Sequence, residues 1–341
     1  LFFAIRGLIL ALGMLLLLPD LSSQPLLPEE SKDDNRSYYV QYIGQFPSGN
    51  AKSTAGVFER LGNAVLGSEP LQLKKPVGIM AYDTESFWVL DQGNGMVLMN
   101  SGGKLSMPRA AKKKRESLSS LVGITTLGKD EILFTDSREN SVFRLSAGDR
   151  EIRVLNSSVT LNQPTGIAFS SLEEEIWVCE TGSHRIAVLN RQGELLRHIG
   201  RRGTGEGEFN FPTSLWIDSS GMAYVVDAMN FRIQIFDRNG RFLSSFGAQG
   251  NATGYFARPK GIAVDSHGNI YVADALFNAV QIFDSSGSFL YYFGSQGRGK
   301  EQFWMPSGLF IDRDDHIYIA DTYNARIQIF QLKKGDYNAK K

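Results

Sequence analysis

The chain has 341 residues, 42% of them hydrophobic, enough to build a substantial core and to exclude wholesale disorder. Lys and Arg total 36, as do Asp and Glu, so the formal net charge is zero and no global field draws the chain to nucleic acid or anionic lipid. The one cysteine, Cys179, excludes an intramolecular disulfide framework, a CxxCH haem attachment and a cysteine-rich zinc site.

Residues 1–23 carry a single cation, Arg6, ahead of an apolar run from Leu8 to Leu18 that breaks at Pro19-Asp20. That run suits an export signal better than a membrane span, which needs about 20 apolar residues, and Ser22 and Ser23 offer a cleavage site. A signal peptide is expected, or an N-terminal anchor where cleavage fails. Residues 24–37 are polar, contain Pro25 and Pro28, and read as a linker. Within 49–73, Val57, Phe58, Leu61, Ala64 and Val65 recur at helical spacing and predict a short inserted amphipathic helix.

An internal repeat organises the chain from Pro76 onward. Pro212-Thr-Ser-Leu-Trp-Ile-Asp218, Pro259-Lys-Gly-Ile-Ala-Val-Asp265 and Pro306-Ser-Gly-Leu-Phe-Ile-Asp312 are each followed by a second apolar run closing on Asp227, Asp274 or Asp321. A third run follows as Ile233-Gln-Ile-Phe236, Val280-Gln-Ile-Phe283 and Ile327-Gln-Ile-Phe330. Looser copies begin at Pro76, Leu121 and Pro164. Gly78, Gly123, Gly166, Ser214, Gly261 and Gly308 mark six units with periods of 43 to 48 residues. Each unit holds short runs rich in Val, Ile, Phe and Tyr separated by turn residues, which predicts a blade of four strands. The last unit has three runs and then a polar tail, assigned to 333–341. Tyr39-Val-Gln-Tyr-Ile-Gly44 matches the missing fourth run, as spelled by Phe289-Leu-Tyr-Tyr-Phe-Gly294, so the ring is expected to close with an N-terminal strand. The expectation is an all-β, six-bladed β-propeller over residues 38–332. Phe209, Phe256 and Phe303, with Trp304 beside the last, are expected to plug the gaps between blades.

Asp321-Thr-Tyr-Asn-Ala-Arg-Ile-Gln-Ile-Phe330, Asp227-Ala-Met-Asn-Phe-Arg-Ile-Gln-Ile-Phe236 and Glu180-Thr-Gly-Ser-His-Arg-Ile186 resemble the repeats of the NHL family of six-bladed propellers. The likeness spans roughly residues 38–332 and is strongest in the last four units; Met96 and Ser141 stand where Arg185, Arg232 and Arg326 stand elsewhere. With the signal-like N-terminus, the chain looks like the exported bacterial members.

The most regular polar feature is the acid closing each second run: Asp91, Asp136, Glu180, Asp227, Asp274 and Asp321. In a closed ring they form a candidate circle of carboxylates near one channel mouth, with Arg185, Arg232 and Arg326 as paired cations. Such a circle repels itself unless cations or turn amides neutralise it, and capping of the following turn is the favoured role. Related propellers, such as the peptidylglycine amidating lyases, hold zinc with axial histidines. His184, His198, His267 and His316 fall at different offsets here, so zinc is not expected. No cofactor is expected, although calcium suits the oxygen-rich acidic circle better than zinc. No nucleophile elbow, HExxH or phosphate loop is present.

These features predict a non-catalytic, monomeric binding or scaffold protein, exported to the periplasm or cell surface, that recognises a protein or glycan partner through its loops. Contact with a membrane is expected only through an uncleaved N-terminal segment. One alternative is a metal-dependent lyase or lactonase at the channel mouth. Another is RNA binding through Lys112-Lys-Lys-Arg115, a run that suits an anionic glycan or lipid better than RNA in an exported protein.

Overall fold

The computed structural model describes residues 38–48, 71–110, 118–128, 131–146 and 148–334. The signal or anchor segment, the linker, residues 57–65 of the helix expected within 49–73, the Lys112 to Arg115 run and residues 335–341 lie outside the described residues.

Six four-stranded antiparallel sheets form among the described residues, the blades of an all-β propeller. Blade five shows how the sequence builds one. Pro259–Val264 starts with a proline, whose missing N–H leaves no donor unpaired at a strand start. Ile270–Asp274, Ala279–Phe283 and Phe289–Phe293 follow, joined by turns in which Gly268 and Gly287 take positive φ. The same order gives blade one from Pro76–Ala81, blade two from Leu121–Gly128, blade three from Pro164–Ser170 and blade four from Pro212–Ile217. In blade six, Leu309–Ile311, His316–Asp321 and Arg326–Lys334 are joined on the outside by Tyr38–Phe46, paired antiparallel with the last of them. That third strand runs two residues past the boundary at 332 expected from the sequence.

Neighbouring blades share apolar cores. Phe209 lies between blades three and four, Phe256 between four and five, and Phe303 between five and six, all fully buried. Removing such a ring costs about 3–5 kcal/mol. Trp304 does not join them. It is 37% exposed, its amide bound to Asp321 and its ring tilted against that of Tyr323 with centroids 5.7 Å apart.

At the centre, inner strands of adjacent blades come so close that the repeated glycine leaves no room for a side chain. A Cβ on Gly123 would meet Thr165 O at 2.3 Å, on Gly261 Ser307 O at 2.3 Å and on Gly308 Val77 O at 2.4 Å. The last of these contacts joins blade six to blade one. Inter-blade hydroxyl bonds reinforce the waist: Thr181 Oγ1 donates to Pro212 O at 2.6 Å and Ser307 Oγ to Val77 O at 3.3 Å. Antiparallel order puts every second-to-third-strand turn and every inter-blade loop on one face of the disc, called the near face below. The other hairpins lie on the far face.

Candidate functional site

The six repeated acids sit where the second strand meets the near face. Each is essentially inaccessible to solvent, and each carboxylate is turned into its own loop rather than toward the axis. Asp91 accepts the amides of Lys74, Lys75 and Asn94; Asp136 those of Ser120, Arg138 and Glu139. Asp274 accepts from Ala257, Arg258, Leu276 and Phe277. Arg185, Arg232 and Arg326 pair with Glu180, Asp227 and Asp321 at 2.7, 2.9 and 2.7 Å. None of the six lines the channel, so the structure does not bring them together as an open carboxylate circle. Turn amides and arginines neutralise them one by one.

The rest of the repeated polar motif completes a latch. In blade four, Asn230 donates to Gly203 O, Arg232 to Gly205 O and Glu208 O, and Gln234 to Glu208 O and Asp227. Blade six repeats this with Asn324, Arg326 and Gln328 on Gly297, Gly299 and Gln302. Each latch pins the loop that leads in from the preceding blade. Gln234, Gln281 and Gln328 carry no role in the reading of the sequence, whose signal for them is a polar residue recurring amid Ile and Phe. A second missed device lies on the far face, where Tyr224, Tyr271 and Tyr318 donate to Asp218, Asp265 and Asp312.

The histidines are scattered. His184 Nδ1 accepts the Phe211 amide at 3.1 Å, and its ring lies 4.2 Å from that of Phe211. His198 meets Glu180 at 3.2 Å, His267 lies 3.7 Å from Asp315, and His316 meets Asp312 at 2.9 Å. Burial, with Arg202 beside it, holds the His184 imidazole below the usual histidine range; burial and Arg185 do the same for His198 against the opposing pull of Glu180. A depressed histidine pKa means that the unfolded chain takes up the proton first. Stability is therefore expected to fall as pH drops from about 6.5 through the folded-state values. Melting curves between pH 7 and 5 should show the decline, and His184→Gln should flatten it; equal slopes in the two proteins would contradict the assignment.

The axial channel encloses about 450 Å³. Its near mouth is bordered by the starts of the inner strands, including Thr165, Thr213, Lys260 and Ser307, together with Lys75, Arg258 and Tyr323. Deeper in, aliphatic residues such as Ile79, Ile167 and Leu309 border it. Trp216 and Phe310, edge to face at 5.4 Å, narrow the far end. Among the described residues its lining holds no Asp, Glu, His or Cys. Hydroxyls beside three cations are a poor donor set for a divalent metal, so the channel does not fit the calcium or zinc sites considered from sequence. The described group closest to metal spacing, Asp312, Asp314 and His316, has its donor atoms within 4.8 Å of one another but lies in a far-face hairpin. Asp312 there already accepts the amides of Asp314 and His316 and the Tyr318 hydroxyl. Cys179 is wholly buried, and burial pushes its thiol far up.

A DUF5128 family model, described as a 6-bladed beta-propeller, matches residues 219–280 and 264–341. No curated protein matches the sequence. Among solved structures, virginiamycin B lyase from Staphylococcus aureus is similar with a TM-score of 0.56 at 18% identity, over 78% of this chain and 99% of that one. An auxiliary nutrient binding protein from Bacteroides thetaiotaomicron gives 0.62 at 14% identity, over 87% and 77%. A gluconolactonase from Xanthomonas campestris gives 0.58 at 16% identity, over 77% and 88%. At these identities the likeness establishes the fold alone.

Proposed function

We propose that this propeller is a non-catalytic binding module that recognises a protein or glycan partner on its near face. One observation carries the reading. Phe211, Met229, Tyr255, Leu276, Trp304 and Tyr323 all expose large apolar side chains on near-face turns and loops, which are tied down by the latches of blades four and six and, in blade five, by Asp274 and Gln281. Arg298 lies 5.1 Å from the Trp304 ring and Lys75 5.7 Å from that of Tyr323, giving aromatic surfaces flanked by cations. Pre-organised aromatics of this kind suit recognition, because little ordering entropy is lost on contact.

In the same proposal the chain is exported, with residues 1–23 as signal or anchor, and Tyr38–Phe46 fastens the ring as its closing strand. Its pairing along Arg326–Lys334, the edge contact of Phe46 with Phe87 of blade one at 5.5 Å and the Gln45 bond to Arg326 support that role. The protein works as a monomer.

The test uses the full chain against immobilised polysaccharides and, by crosslinking in its native host, against protein partners. Trp304→Ala and Tyr323→Ala should each weaken binding at least tenfold while leaving the melting temperature within about 2 °C, as expected for surface changes. Turnover of lactone or ester substrates by the metal-supplemented protein would contradict the non-catalytic reading.

A further inference from the structure

Lys75 and Arg258 immediately precede the inner strands of blades one and five, and Lys260 is the second residue of the latter strand. All three border the near mouth of the channel, on either side of blade six. The position Lys260 occupies, between the repeat proline and glycine, is Val77, Val122, Thr165, Thr213 and Ser307 in the other blades. One blade has therefore replaced a small or apolar lining residue with a cation.

The carboxylates nearest in sequence do not offset this charge through ion pairs. Asp91 is occupied by the Lys74 and Lys75 amides and Asp274 by the Arg258 amide, and no ion pair joins the three side chains to a carboxylate among the described residues. Burial, then Arg258 and Lys75, hold the half-buried Lys260 ammonium below the usual lysine range, the signature of cations crowded without a counter-ion. Thr213, in blade four, borders the same channel, and its enclosed Oγ1 has no hydrogen-bond partner. A channel of about 450 Å³ suits a small occupant.

We propose that the near mouth of the channel binds a small-molecule oxyanion, a carboxylate or a phosphate, between Lys75, Arg258 and Lys260. This deepens the binding reading above and rests on it, placing a small charged ligand at the centre of the face whose loops meet the larger partner.

The experiment is calorimetry and thermal denaturation of the full chain with inorganic phosphate in one arm and citrate in the other, both at constant ionic strength set with chloride. At least one anion should bind saturably and raise the melting temperature, and the arm that responds identifies the ligand chemistry. Lys75→Met and Lys260→Met should each weaken that binding about tenfold or more. Lys260→Met should itself melt no lower than the parent without anion, since it removes crowded charge, so loss of binding is not loss of folding. Anion stabilisation that persists undiminished in both variants would be a general salt effect and would overturn the site. Absence of saturable binding in both arms would overturn it too. If Trp304→Ala abolished partner binding while neither anion bound, this inference would fail and the binding reading would stand; if a bound anion were converted to product, the binding reading would fail.

Discussion

Asp321→Ala is expected to destabilise the protein by about 3–5 kcal/mol, the range for removing one partner of a buried ion pair. Asp321 is fully buried and accepts the Trp304 amide at 2.8 Å, Asn324 Nδ2 at 2.9 Å and Arg326 Nε at 2.7 Å. Without it, Arg326, only 8% exposed, keeps its charge inside the disc with carbonyl partners alone. Arg326→Met in the same chain removes that stranded charge. The double variant should therefore be less destabilised than the sum of the single ones, by about 2 kcal/mol or more. Urea denaturation of the four proteins closes the cycle, and additive losses would show that the latch is not a coupled unit.

The fold was legible in the sequence because each blade repeats the same physical problem. Pro259, Asp274 and Phe256 have counterparts a period away, and a strand start, a turn cap and a gap filler are needed once per blade. The same regularity obscured function. The acids recur because every loop needs an anchor, so their period marked a structural duty, and the charge circle dissolved into six separate turns. Lys260 was hidden for the opposite reason. Its neighbours in the run, Pro259 and Gly261, made it read as one more spelling of the repeat, and only the ring geometry brings it near Lys75, 185 positions earlier in the chain. Trp304 was misplaced because sequence spacing cannot distinguish a side chain turned into a gap from one turned out beside Tyr323. The polar glutamines were overlooked because buried amides become intelligible only when the carbonyls they meet, such as Glu208 O and Gln302 O, come from the preceding loop.

Replacing residues 38–46 by a Gly-Ser segment of equal length is expected to lower the melting temperature by roughly 10–20 °C, or to abolish cooperative unfolding. The strand packs Val40 and Tyr42 on the shared core of blades five and six and Phe46 on that of blades six and one. Each of the three is half-buried and contributes less than a fully buried side chain, worth about 1.5–3 kcal/mol, and the lost strand pairing adds to their sum. For a domain of this size, each kcal/mol lost shifts the melting temperature by about 2–4 °C. The strand's removal also bares the edge of Arg326–Lys334, so the variant should self-associate more than the parent. Differential scanning calorimetry and light scattering measure the two effects, and an unchanged melting temperature would show that the ring does not depend on this strand.

Circular closure is tested most directly by joining its two ends. Val40 lies opposite Leu332 in the register of the outer pair, and Cys179 is too deeply buried to interfere. The Val40→Cys, Leu332→Cys variant, oxidised or bridged by a short bis-maleimide while folded, should give one internal crosslink. The product should run anomalously on a non-reducing gel, keep the parent's monomeric mass and melt higher than its reduced form. Two free thiols after treatment of the folded monomer, or crosslinks only between chains, would mean that the N-terminal strand does not complete the sixth blade.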